Sequence, residues 1–154
     1  YYGEEKNYFA QESHLGYGLA MAYKADGNKR EYEKALKSAM TDHAAPSEIS
    51  YFRALAFYEA GEISAAHALC EEMIEAGKEK IRDKDVPAYY GVGSPCPCPF
   101  EYDFPKINTV KGLVLEAFGE LGLGRVIEAK EHIAEAKKLD VTNFAVAMFE
   151  EFCK

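Results

Sequence analysis

The chain has 154 residues, 48% of them apolar and 29% charged, enough to bury one continuous core without metals or crosslinks. Its 26 acidic and 18 basic side chains leave a formal net charge of −8. Such a surface repels phosphate backbones and anionic lipid, so neither nucleic acid nor a membrane is expected as a partner.

Hydrophobic spacing predicts a first helix over residues 8–25, with Leu15, Leu19, Ala22 and Tyr23 on one stripe and Gly27-Asn28 as its stop. A second helix is expected over 29–42, ending before Ala44-Ala45-Pro46, and Ser47 reads as the N-cap of a third over 48–60. Ile63, Ala66, Cys70, Met73, Gly77 and Ile81 recur every three or four residues, so the fourth helix runs on past Gly77 to about Arg82. Further helices are expected at 106–121 and 125–139, and Thr142 reads as the cap of a last one that holds Phe144, Met148 and Phe152.

Gly27 and Gly61 lie thirty-four residues apart, each between two alanine-rich stretches. Ala20, Tyr23, Gly27, Tyr32, Ala35 and Ala39 correspond in place to Ala54, Phe57, Gly61, Ala66, Cys70 and Met73. A third copy offers Ala117, Gly124, Ala129, Ile133 and Ala136, closed by Leu139-Asp140, but Glu120 stands where the aromatic belongs, which leaves that register open. Small residues let paired helices approach, and an aromatic fills the space between units. Gly61 and Gly124 are sixty-three residues apart, so twenty-nine surplus residues fall between the second and third copies.

The pattern resembles the tetratricopeptide repeat, a helix-turn-helix unit of this period that must stack on its neighbours. The resemblance implies an all-α fold, a right-handed α-α superhelix of three hairpins. The repeats cover about 13–46, 47–82 and 106–141, with an insertion at 83–105 and a closing helix at 142–153. In such arrays the first helix of each pair lines a concave groove. Carried over, the groove residues are Tyr17, Met21 and Lys24, then Tyr51, Leu55 and Tyr58, then Lys111, Val114 and Phe118. An aromatic and apolar groove suits a protein or peptide, and the same residues would equally serve to pack a neighbouring domain. The lysine, asparagine and arginine set that grips chaperone carboxylate tails in some repeats of this kind is missing here.

The insertion holds Tyr89, Tyr90, Phe100, Tyr102 and Phe104 among alternating prolines and glycines. Prolines favour an extended path, and aromatics are costly in water, so the segment is expected to pack back as a lid over the groove or to run as a surface excursion. The Tyr-Tyr-Gly-Val-Gly-Ser-Pro run and the Leu-Gly-Leu-Gly turn, in this order, are similar to the C-terminal repeat region of large bacterial proteins of unknown function. There the repeats follow β-sandwich domains like those of carbohydrate-handling enzymes. That likeness implies a helical accessory module with no chemistry of its own. The chain begins with Tyr1, which fits a piece of a longer protein.

Cysteines and histidines point to no catalytic or metal centre. Cys96 and Cys98 have no second Cys or His pair at zinc-site spacing. Reduced thiols imply the cytoplasm. His14, His43, His67 and His132 form no His-Glu-x-x-His motif, and no nucleophile elbow or phosphate loop occurs. The pairs His67 with Glu71 and Glu128 with His132 are one helical turn apart and read as solvated faces. The expectation is a non-catalytic interaction module without cofactor or metal. The alternative is an accessory ligand-binding domain, with a saccharide as the ligand class.

Overall fold

The computed structural model describes residues 12–41, 44–83 and 103–153, together with the backbone of 90–91 and 94–95. Those residues form seven α-helices: α1 (Ser13–Ala25), α2 (Lys29–Met40), α3 (Ser50–Glu59), α4 (Ile63–Arg82), α5 (Phe104–Gly122), α6 (Val126–Leu139) and α7 (Phe144–Phe152). Within the insertion, β1 (Tyr90–Gly91) pairs antiparallel with β2 (Ser94–Pro95), Tyr90 opposite Pro95. The all-α expectation holds.

Three turns are built alike. Gly27, Gly61 and Gly124 have φ of 74°, 80° and 77°, a region that a side chain disfavours. Each sits just past a helix end in the same bond pattern: Asn28 N–H reaches Tyr23 O at 2.9 Å, Glu62 N–H reaches Phe57 O at 2.9 Å, and Arg125 N–H reaches Glu120 O at 2.9 Å. This six-to-one bond satisfies carbonyls that a helix end leaves unpaired. It also settles the open register, because Glu120 takes the backbone place of Tyr23 and Phe57.

Helix starts follow their caps. Ser47 Oγ accepts from Ile49 N–H at 3.1 Å while Ser50 Oγ accepts from Ser47 N–H at 3.0 Å, a reciprocal box with serine in the glutamate place. Ser47 thus caps the turn that feeds α3, although regular helix begins at Ser50. Helix α5 starts at Phe104, two residues earlier than expected, because Asp103 accepts from Lys106 N–H at 3.0 Å and Pro105 suits a first turn. Phe104 therefore belongs to a helix and not to the insertion. Asn143, rather than Thr142, caps α7 by accepting from Ala145 and Val146 N–H, and Thr142 is instead bound to Asp140. The part of the first expected helix before residue 12 lies outside the described residues.

The helices stack in two layers. Helix α1 packs on α2 and α3; α3 packs on α2, α4 and α5; α5 packs on α4, α6 and α7. Among the described residues α2 does not approach α4, nor α4 α6, so α1, α3, α5 and α7 form one layer and α2, α4 and α6 the other. The closest approach is between α4 and α5, which run antiparallel. A Cβ on Gly112 would stand 2.5 Å from Gly77 O, and one on Gly119 would stand 2.6 Å from Cys70 O. Asn108, buried on α5, donates its side-chain amide to Asp83 O at 3.1 Å and so ties the two ends of the insertion together.

The glycines make a paired prediction. Gly119→Ala forces two backbones apart and should cost about 1–3 kcal/mol by overpacking. Gly18→Ala, on α1 with open space around it, should stabilise by about 0.5–1 kcal/mol through helix propensity alone. Chemical denaturation of the two variants checks both.

Candidate functional site: the inner face of the first helices

The layer α1, α3, α5 and α7 carries a continuous run of aromatic rings. Ring centroids of Tyr17 and Phe52 are 6.4 Å apart, Tyr51 and Phe118 5.2 Å, Phe118 and Phe149 5.4 Å, and Phe152 lies 5.1 Å from Tyr51 and 5.6 Å from Phe52. Tilted and edge-on pairs at these distances add to the area they bury. Helix α7 therefore reaches across α5 to α3 by its last aromatic.

That reach divides the expected groove. Tyr51, Val114 and Phe118 are core residues, with exposures of 6%, 3% and 0%, in one cluster with Val146 and Phe149 of α7. Tyr51 and Phe118, expected as contact residues, are therefore packed into the core, whereas Val114, though nearly buried, lines a cleft with Lys111. Helix α7 holds the expected Phe144, Met148 and Phe152: Met148 packs against the cluster that buries Ala145, Val146 and Phe149, Phe152 keeps 40% exposure beside Tyr51 and Phe52, and Phe144 is exposed. Among the described residues no helix is seated on the N-terminal half of the face. Tyr17, Met21 and Leu55 are half-buried there, and Lys24 is exposed.

Polar bonds fix the margins of the open half. Glu59 at the end of α3 is held by Lys24 of α1 and accepts the Tyr32 hydroxyl of α2 at 2.9 Å, so three helices meet on one carboxylate. The Lys24 hydrogen bond, then that of Tyr32, holds the Glu59 carboxyl below its usual range. Tyr58 is half-buried and donates its hydroxyl to Gly122 O at 2.6 Å, which bolts α3 to α5. Burial pushes both Tyr51 and Tyr58 up to about 12. Neither hydroxyl is a useful proton donor at neutral pH.

Lys111 is exposed and lines a cleft of about 450 Å³ with Lys80, near the N-terminal ends of α3 and α7. Those ends are already served by Ser47, Ser50 and Asn143. Of the expected lid, Tyr89, Phe100 and Tyr102 lie outside the described residues, Tyr90 contributes only its backbone pairing with Pro95, and Phe104 opens α5. Cys96 and Cys98 also lie outside them. Among the described residues no three His, Cys, Asp or Glu side chains gather as a metal site would require, and no helix is long and apolar enough to cross a membrane.

One feature had no signal in the spacing of charges along single helices. In the third hairpin Glu120 Oε2 meets His132 Nδ1 at 2.9 Å, and Glu120 and Glu116 are both buried. The His132 partner is thus on α5, not the Glu128 one turn away. At the same places the first two hairpins have Tyr23 with Ala35 and Phe57 with Leu69. Aligning the hairpins on their turn glycines is the step that exposes this exchange of an apolar pair for a polar one. Burial raises the Glu116 carboxyl above its usual value, the Glu120 carboxylate adds to that, and His132 and Lys78 offset part of it.

No protein-family model, curated protein or solved structure matches the chain.

Two outcomes follow from these environments. A raised Glu116 contributes stability in its protonated form, which is present below the ordinary glutamate value and lost as pH rises through the raised one. Glu116→Gln should therefore lift the thermal midpoint at pH 7, and the gain should shrink toward pH 4. Cys70 is fully buried with its thiol pushed up to about 11, while Cys153 is partly exposed. Peptide mapping after brief alkylation of the folded chain should find Cys153 modified and Cys70 intact.

Proposed function

We propose that the chain is a tetratricopeptide-like, right-handed stack of three helical hairpins that acts as a non-catalytic interaction module. It takes a peptide, a partner helix or a neighbouring domain on the open half of its inner face. The observation that carries the reading is the threefold repetition of one glycine turn, with the same backbone bond at each, in hairpins that stack in two layers. A scaffold of this kind does one thing unaided, which is to present a surface.

The surface is formed by Tyr17, Met21 and Lys24 of α1 with Leu55 of α3, bordered by Phe52 and His14. Phe52 was not among the expected groove residues; it stacks 6.1 Å from His14 and carries the aromatic run toward α1. His14 Nδ1 is buried without a hydrogen-bond partner among the described residues. Tyrosine, phenylalanine and methionine offer large adaptable contact area, and a peptide held there would rest on a few aromatic anchors. The net charge of −8 disfavours nucleic acid and anionic membranes as partners. Free Cys70 and Cys153 fit a reducing compartment such as the cytoplasm. The saccharide alternative depends on insertion aromatics whose side chains are not among the described residues, and nothing described favours it.

Joint replacement of Tyr17 and Met21 by alanine should lower partner affinity at least tenfold; both side chains also pack on the α1–α2 cluster, so the thermal midpoint falls too, and binding is read at a temperature where circular dichroism shows the helices intact. Tyr51→Ala should behave differently, because truncating a buried aromatic costs about 3–5 kcal/mol and lowers the thermal midpoint rather than testing a surface. Binding unaffected by the Tyr17/Met21 change would remove this face from consideration. A thermal-shift screen separates ligand classes, since a ligand at one hundred times its Kd stabilises by about 2.7 kcal/mol.

A further inference from the structure

Two carboxyl groups one helical turn apart are buried at the joint between the second and third hairpins. Glu116 and Glu120 of α5 are 7% and 8% exposed. Aligned on the turn glycines, the same two places hold Leu19 and Tyr23 in the first hairpin and Arg53 and Phe57 in the second, so only the third sets acid beside acid. Like charges at this spacing oppose each other.

The surroundings compensate one of the two. Glu120 is engaged by His132 of α6, Nδ1 to Oε2 at 2.9 Å, while Glu128 and Glu135 stand one turn either side of His132 along α6. On α4, Lys78 is bonded to Glu75 at 2.6 Å, and both bear on Glu116 only through space. Helix α3 meets α5 through the neutral Tyr51 and Tyr58, and α7 through Phe149 and Phe152. Glu116 itself makes no hydrogen bond or ion pair among the described residues. Its side chain lies instead on bare backbone: a Cβ on Gly77 would stand 2.7 Å from Glu116 Cγ. A buried carboxyl in such a place avoids its charged form.

We propose that Glu116 is a proton-operated latch on the joint between the second and third hairpins. Neutral, its carboxyl rests against Gly77 and α4 and α5 keep their near-contact. Ionised, it faces the like charge of Glu120 with no donor of its own. Solvating that charge lifts the side chain off Gly77, and the close crossing loosens with it. Burial, with Glu120 adding to it, holds the Glu116 carboxyl above its usual value. The latch is therefore closed below the ordinary glutamate range and releases as pH rises through the raised value.

Carboxyl carbon-13 shifts and amide hydrogen exchange, followed together between pH 4 and pH 8, test the latch. Glu116 should titrate above a glutamate in an unfolded peptide. Over the same titration the protection of the Gly77, Gly112 and Gly119 amides, corrected for intrinsic exchange, should fall by up to about tenfold per pH unit, the limit for one proton released. Glu116→Gln keeps the neutral shape and should hold that protection flat. Glu120→Gln removes the like charge and leaves His132 to face Glu116, so it should move the Glu116 titration to lower pH. An ordinary midpoint for Glu116, an unmoved or upward one in Glu120→Gln, protection in the parent chain that ignores pH, or the same loss in Glu116→Gln would each overturn the proposal.

Discussion

The near-contact of two helix backbones along the α4–α5 crossing is the constraint on which the rest depends. Gly77 on one side and Gly112, Gly119 and Gly122 on the other leave no room for a side chain between them. Close approach of this kind maximises dispersion contact per residue, and it fixes the relative height of the two helices within a fraction of a turn. Helix α4 belongs to the second hairpin and α5 to the third, so the crossing is also the joint between repeats. The insertion leaves and returns at the end of this joint, where Asn108 binds the carbonyl of Asp83. A long excursion can be tolerated there because the helices on either side are already locked.

What the crossing holds in place is a layer whose inner face is only half available. Helix α7 fills the C-terminal half with Val146, Phe149 and Phe152 and turns Tyr51 and Phe118, expected as contact residues, into core. The apolar face of the third hairpin is thereby covered by a short aromatic helix. The unfilled half is bordered by the Glu59 carboxylate with its lysine and tyrosine, a polar corner joining α1, α2 and α3.

The helices and their turns were legible from Gly27, Gly61 and Gly124 with the spacing of apolar residues around them, because turn chemistry and helical period are local properties. Helix α4 appeared with the bounds the spacing implied, across Gly77, since an isolated glycine does not stop a helix whose neighbours keep the stripe. Starts shifted by one or two residues where a second capping residue competed, as Asn143 did with Thr142. The groove was less legible. Which of Tyr17, Tyr51 and Phe118 meets solvent depends on where α7 lies, and that is decided by packing between residues a hundred positions apart in the chain. The Glu120–His132 pair was hidden for the same reason, because its partners sit on facing helices.

The buried apolar residues fall into three clusters: one uniting α3, α4, α5, α6 and α7, a small one of Ala54, Leu69 and Cys70 between α3 and α4, and another confined to α1, α2 and Ala56 of α3. Opening of the first hairpin therefore leaves the larger cluster whole, and the molecule has a natural seam for partial unfolding at its N-terminal end. The open half of the inner face lies on that weaker unit. Under the proposed binding role, occupancy of the face would be felt there as a slower local opening, far from the C-terminal helices, so that binding and the order of the first hairpin would be coupled.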